Sequence, residues 1–216
     1  MADQNSSFTA AKGLIFRITH RDNLAWILDH GLHCANTGRL DPNFVSIGHP
    51  EIIDRRRTER VPIPPGGALA DYVPFYFTPY SPMLLNIITG RGVKKRRKEE
   101  IVVLVSSIPK LMAAGIGFVF TSRHALSAMG SFYSDPQELE QIDWAILNAR
   151  DFRRDENDLG KIDRYQAEVL VHHRLPVSAL LGIGCYDSAT ERQVAQSLEQ
   201  RGLRLMLTVR PRWYFE

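Results

Sequence analysis

The chain has 216 residues, of which 44% are hydrophobic and 24% charged, the balance of an ordinary soluble globular protein with enough length to bury one sizeable core. Its net charge of +3 and pI near 8.9 are mildly basic, short of a dedicated nucleic-acid coat. No apolar run reaches the roughly 18 residues that span a bilayer, the stretch from Met1 to Ala11 is polar with no signal-peptide core, and the only two cysteines, Cys34 and Cys185, lack metal-ligand spacing. The expectations are a flexible tail over 1–12, a single domain over 13–216, a cytoplasmic address, two free thiols, no metal and no membrane partner.

In chain order, Gly13 to His20 alternates apolar and polar residues and predicts a first strand ending in Thr19 and His20. Asp22 is placed to cap a helix over 23–30, with Leu24, Ile27 and Leu28 at helical spacing and Gly31 as its stop. Signals over 34–47 are loop-like, 49–60 predicts a short helix carrying Arg55, Arg56 and Arg57, and the prolines and glycines of 62–67 forbid regular structure. More than 30 residues with little sheet exceed ordinary connection lengths, and such loops are usually functional or disordered. This one runs into an aromatic strand, Tyr72 to Thr78, and is expected to be an ordered loop over an active site.

Ser81 and Pro82 mark the cap and first turn of a helix whose inward face is Met83, Leu84 and Ile87. The segment 90–98 is an exposed basic loop, 100–106 a buried strand and 108–114 a short helix closed by Gly115. A strand over 118–121 with Ser122, Arg123 and His124 at its exit, a helix over 125–129 and one amphipathic helix over 136–148 follow. A charged loop at 150–161 precedes Gln166-Ala-Glu-Val-Leu-Val-His-His173, which sets Glu168 at the front of a buried strand. A strand over 180–186, a helix over 191–200 and a last strand over 203–209 complete an α+β pattern with a mixed or largely antiparallel sheet.

Gly-rich phosphate loops, HExxH and GxSxG are all missing from the chain. What remains is a set of polar residues at strand ends: Thr19, His20, Asn23, Arg56, His124 and Glu168. A carboxylate directly before an apolar run escapes a desolvation cost of several kcal/mol only if it is solvated or paired, so Glu168 reads either as a strand-end surface group or as the centre of a cleft. His20 reads equally as a backbone cap, the arginine triplet as a solvated helix face, the aromatic residues 72–80 as core or as base-stacking platforms.

Taken together and in order, Ile18-Thr-His20 with Asp22-Asn-Leu24, Arg55-Arg56, Asp71-Tyr-Val-Pro-Phe-Tyr-Phe77 with Ser81-Pro-Met-Leu84, Phe118-Val-Phe-Thr121, Gln166-Ala-Glu-Val-Leu-Val171 and the ending Trp213-Tyr214 resemble the DarT family of bacterial DNA ADP-ribosyltransferase toxins. The resemblance covers about 14–214. It implies an ADP-ribosyltransferase fold, a split sheet with short helices around a central NAD cleft, and NAD-dependent modification of thymidine in single-stranded DNA. Guanine, or an RNA acceptor, is the alternative; a binding module with a vestigial cleft is the non-enzymatic one. It also implies a macrodomain antitoxin of the DarG type as partner. By the same resemblance Glu168 and Arg56 are catalytic, Thr19, His20, Asn23 and Arg56 hold NAD, and Met83, His124, Arg55 and Tyr80 face DNA. The sequence departs from the family at Arg17, where relatives often carry histidine, and its 90–98 loop is unusually basic.

Overall fold

The computed structural model describes residues 8–215. In chain order these form β1 (Leu14–His20), α1 (Leu24–His30), β2 (Leu32–His33), α2 (Pro50–Thr58), β3 (Tyr72–Tyr76), α3 (Pro82–Thr89), β4 (Ile101–Ser107), α4 (Ile108–Ala113), β5 (Phe118–Thr121), β6 (Phe132–Tyr133), α5 (Trp144–Ala149), α6 (Lys161–Tyr165), β7 (Glu168–His172), β8 (Arg174–Leu175), β9 (Gly182–Cys185), α7 (Ser188–Glu199) and β10 (Met206–Val209). Among the described residues, eight strands make one sheet in the order β10-β9-β4-β1-β3-β7-β5-β6, and β2 pairs with β8 in a separate ribbon. Only β9 and β10 run parallel, because α7 carries the chain back across the sheet between them. The fold is α+β with a mixed, mostly antiparallel sheet, as expected.

The central strands explain the apolar runs. Ile101 to Leu104 on β4 and Val169 to Val171 on β7 have no exposed surface, since both faces of the sheet are covered there and alternation has no outer side to mark. Each such side chain stabilises the fold by roughly 1.5–3 kcal/mol relative to exposure. The helices start where their caps say: Ser81 Oγ accepts the Leu84 N–H on α3, and Asp187 Oδ1 accepts the Thr190 N–H on α7.

The sheet opens at its middle. All seven residues of β1 pair with β4, from Leu14↔Ser107 to His20↔Ile101, but β1 meets β3 only at Phe16↔Tyr76. Pro74 lies two residues along β3 from that contact and has no N–H to give. Its carbonyl instead accepts a 2.8 Å hydrogen bond from Arg17 Nη1. A proline on the β1 side of β3 therefore ends the ladder, and the two strands diverge into a cleft bridged by an arginine side chain.

Several expectations need correction. Residues 1–7 of the expected tail lie outside the described residues, and from Phe8 onward the chain is packed: Phe8 is buried, meets the Phe16 ring edge-on at 5.5 Å, and its backbone N–H and carbonyl are both bonded by the side-chain amide of Asn148. The cap before α1 is not Asp22; the His20 imidazole Nδ1 accepts the Asp22 N–H across a short 3-10 turn. No helix forms over 125–129, because that segment is held to the chain before β7: Asp163 O accepts the His124 N–H, and its carboxylate takes the Ser127 hydroxyl. The helix expected over 136–148 is two pieces, a 3-10 helix Pro136–Gln141 and α5. Asp143 divides them by accepting the Ile146 N–H at 3.1 Å, restarting the helix at a fresh cap.

Candidate active site

Glu168 opens β7 opposite Tyr76 and is 1% exposed. Its N–H donates to Thr121 Oγ1 at 3.1 Å. Oε1 accepts the Ala125 N–H at 3.1 Å and lies 3.8 Å from His124 Nε2. Oε2 accepts Arg56 Nη1 at 2.9 Å. Burial alone would push the carboxyl upward, but the Arg56 guanidinium, then His124 and the Ala125 N–H outweigh it and hold the pKa below the usual carboxylate range. The group is a buried carboxylate.

Arg56 reaches that carboxylate from α2, a polar helix with no buried residue, whose C-terminal end is tied to the chain before β3 where the Leu69 N–H donates to Glu59 O at 2.9 Å. Arg56 Nη2 is buried and has no partner, a donor that a substrate oxygen would satisfy. Arg17 stands alongside it, its pKa pushed down to about 10 by burial and by Arg56, and its Nε also lacks a partner. Two guanidiniums against one carboxylate leave the opening net positive.

Two lobes occupy the opening, of about 230 Å³ and about 240 Å³, sharing Arg17, Thr19, Phe44, Ile53, Arg56 and Pro74 as walls. The first lobe contains Glu168, His124, Met83, Tyr76 and His49. The Tyr76 hydroxyl donates to the Met83 sulfur at 3.7 Å, and its pKa is raised by burial and by Glu168. The second lobe is more aliphatic and aromatic, with Trp26, Cys34, Leu40 and Tyr72. Such an elongated, mostly apolar site with a few convergent polar groups suits a two-part ligand.

The structure thus gathers Glu168, Arg56, Thr19, Met83 and His124 around one opening. Asn23 lines neither lobe but acts next to it: its Nδ2 donates to Thr19 Oγ1 at 3.2 Å and Val45 O at 3.0 Å, and its Oδ1 accepts the Val45 N–H at 2.8 Å. It clips the covering loop to the end of β1. Three expected residues are not brought in. His20 lines neither lobe; its Nε2 lies 3.5 Å from Glu100, because alternation along β1 sends positions 17 and 19 to one face and 20 to the other. Arg55 is exposed on α2, a residue away from the inward Arg56. Tyr80 is spent on an aromatic cluster, 3.9 Å from the Phe215 ring and 6.0 Å from Phe152.

Residues to which the sequence assigns no specific site role include Arg17, Tyr76, Thr121 and His49. Period-two alternation was the available signal for Arg17, which shares a strand face with Thr19, and for Tyr76, which shares one with Pro74. Nothing local announces Thr121 or His49. Among the described residues no group of three or more His, Cys, Asp or Glu is arranged to hold a metal ion, and no helix is long and apolar enough to cross a membrane.

Comparison with known proteins agrees with this geometry. Residues 16–215 match the family described as ssDNA thymidine ADP-ribosyltransferase, DarT. A DNA ADP-ribosyl transferase of Escherichia coli O127:H6 is 50% identical over 214 residues, covering 99% of this chain and 98% of that protein. A solved structure of Thermus sp. 2.9 DarT in complex with ADP-ribosylated ssDNA superposes with a TM-score of 0.89 at 34% identity, covering 97% of this chain and 99% of that one. The same Thermus protein in complex with NAD+ gives 0.84 at 35% identity, covering 94% and 98%. With a fold, a cleft and a nearly full-length match in agreement, the chain belongs to the DarT family of DNA ADP-ribosyltransferases.

Proposed function

We infer that this protein transfers ADP-ribose from NAD to the base of thymidine in single-stranded DNA. The observation that carries the reading is the pair of Arg56 with the buried Glu168, 2.9 Å apart where the sheet opens, with a donor of Arg56 left over. Breaking the bond between ribose C1′ and nicotinamide develops positive charge on the sugar, and a fixed carboxylate in a dry cleft stabilises that charge strongly. Glu168 is held as a carboxylate by Arg56 and the Ala125 N–H, so little reorganisation is needed when the charge appears. Arg56 and Arg17 supply the cations that a pyrophosphate needs, and a guanidinium fork suits its oxygens better than an ammonium.

The chemistry balances with the groups present. Nicotinamide leaves with the electrons of the broken C1′–N bond, a ring nitrogen of the base donates a pair to C1′, and Glu168 takes the proton that this nitrogen loses. That proton sits in a base pair within a duplex, so the acceptor must be single-stranded or extruded. Thr19 and the loop clipped by Asn23 wall the NAD lobes; Met83 and His124 stand on the Glu168 side, where the base enters. Family membership further supports a role as the toxin of a toxin–antitoxin pair, restrained by a macrodomain antitoxin of the DarG type and acting on DNA in the cytoplasm.

A panel of single strands tests the reading. Strands containing thymidine, guanine-only strands and RNA of the same sequence are incubated with NAD and weighed by mass spectrometry. An ADP-ribose adduct on thymidine-containing DNA is expected. An adduct confined to guanine strands, or to RNA, replaces the reading with that acceptor.

A further inference from the structure

The loop that joins α3 to β4 has no place in the chemistry just described, although it carries Arg91, Lys94, Lys95, Arg96, Arg97 and Lys98. It is a built feature. Asn86 O accepts the N–H groups of Gly90 and Arg91 at 2.7 and 3.0 Å, and Ile87 O accepts that of Arg96 at 2.9 Å. Gly92, at φ +68, lets the loop close on the active-site wall: a Cβ there would stand 3.0 Å from His49 Nε2. Val93 and His49 both line the lobe that contains Glu168, so the loop forms part of the rim of that lobe.

Its cations divide into two groups. Arg96 and Arg97 are turned toward Glu100 and Glu99, and Lys98 lies over the Tyr186 ring at 5.3 Å. Arg91, Lys94 and Lys95 are exposed and have no ion pair among the described residues. Three unneutralised charges fixed at the rim of a base-accepting lobe cost free energy through mutual repulsion, and an anion laid across them relieves it.

We propose that Arg91, Lys94 and Lys95 form a phosphate track that grips the DNA strand beside the modified base and holds that base at the Glu168 lobe. The proposal rests on the DNA-modifying reading above. These residues are positioning residues: they touch the backbone, leave the reacting atoms to the cleft, and read no sequence. Their grip is expected to matter for strands long enough to leave the lobe and reach the loop, and to be absent for very short ones.

The test uses the full chain and the triple variant Arg91→Gln, Lys94→Gln, Lys95→Gln, with fluorescence anisotropy of a labelled single strand of about 16 nucleotides, within the usual range of single-strand sites. Wild-type binding should weaken roughly tenfold or more in the variant, and the slope of log affinity against log salt should fall by about 2, as loss of three phosphate contacts requires. Transfer to a strand of about 4 nucleotides and the thermal shift caused by NAD should be unchanged. A charge-keeping variant, Arg91→Lys, Lys94→Arg, Lys95→Arg, should retain wild-type slope and affinity. Unchanged affinity and slope in the glutamine variant overturn the proposal; so does equal loss on short and long strands, or a loss confined to RNA. If wild type binds DNA with this slope and yields no adduct with NAD, the transferase reading fails while the track stands.

Discussion

Arg56 Nη1 donates to Glu168 Oε2 across 2.9 Å although 112 positions separate the two residues in the chain. One lies on a helix within the long loop, the other at the head of a central strand, and neither is stably buried in the absence of the other. Breaking such a pair from one side is costly, since it leaves an uncompensated buried charge.

That asymmetry gives a stability prediction. Glu168→Ala should destabilise the protein by about 3–5 kcal/mol, because it strands the Arg56 guanidinium and abandons the Ala125 N–H. Glu168→Gln keeps the shape and an acceptor oxygen, and should lose less than half of that. Urea unfolding of the two variants decides the matter; equal losses would show that the charge pair is not what holds the site together.

Acid sensitivity follows from the same residue. The Glu168 pKa is held below its ordinary value of 4.5, so in the folded state it binds its proton less readily than in the unfolded chain. Its contribution to stability is therefore complete above about pH 4.5 and is lost as pH falls through the depressed folded value. Glu168→Gln should flatten the fall in melting temperature over that acid window. Arg56→Ala, which removes the chief lowering influence, should raise the Glu168 pKa, visible in the carboxylate band by infrared difference spectroscopy; a band that titrates where it does in wild type would exclude Arg56 as the controlling charge.

Asn23 is expected to act through the loop. Asn23→Ala cuts both bonds to Val45 and frees the adjoining Phe44, a wall of both lobes. With a loss of about 1–3 kcal/mol in holding the loop closed, KM for NAD should rise several-fold while kcat changes little. Initial-rate kinetics distinguish this from a role in the chemistry, for which kcat would fall instead.

Away from the cleft, Gly184 on β9 lies under the Trp213 ring, where an added Cβ would collide with ring carbons. The neighbouring Tyr214 hydroxyl donates to Ile101 O at 2.9 Å. Gly184→Ala should lower stability by about 1–3 kcal/mol through overpacking and leave transfer at low temperature intact, because β4, β1 and β3 stand between β9 and β7. A melting temperature equal to wild type would mean that the C-terminal aromatic pair is loosely docked.

The sequence shows most plainly what is repetitive. The apolar runs of β4 and β7, the Ser81-Pro82 start of α3 and the oddity of Glu168 before Val169 are each readable in a few neighbouring residues. The opening of the sheet is not, since Pro74 shows that a ladder ends without showing which neighbour it loses. Arg17 departs from the family's usual histidine, although its parity with Thr19 places it in the cleft. His20 and Tyr80 stand at family motif positions, but their side chains face residues distant in sequence, Glu100 at 3.5 Å and the Phe215 ring. The helix over 125–129 failed because Ser127 finds a partner, Asp163, that only the tertiary fold supplies, and the one over 136–148 because Asp143 caps a fresh start at Ile146.

The most direct measurement is the rate of adduct formation on a thymidine-containing single strand under saturating NAD, wild type against Glu168→Gln, with NAD binding and melting temperature determined on the same samples. A drop of about 10²–10⁴-fold, the usual scale for a lost proton-accepting and charge-stabilising group, with binding and folding retained, is the predicted result. Transfer within a few-fold of wild type would contradict the account, because the buried carboxylate would then serve the fold and not the reaction.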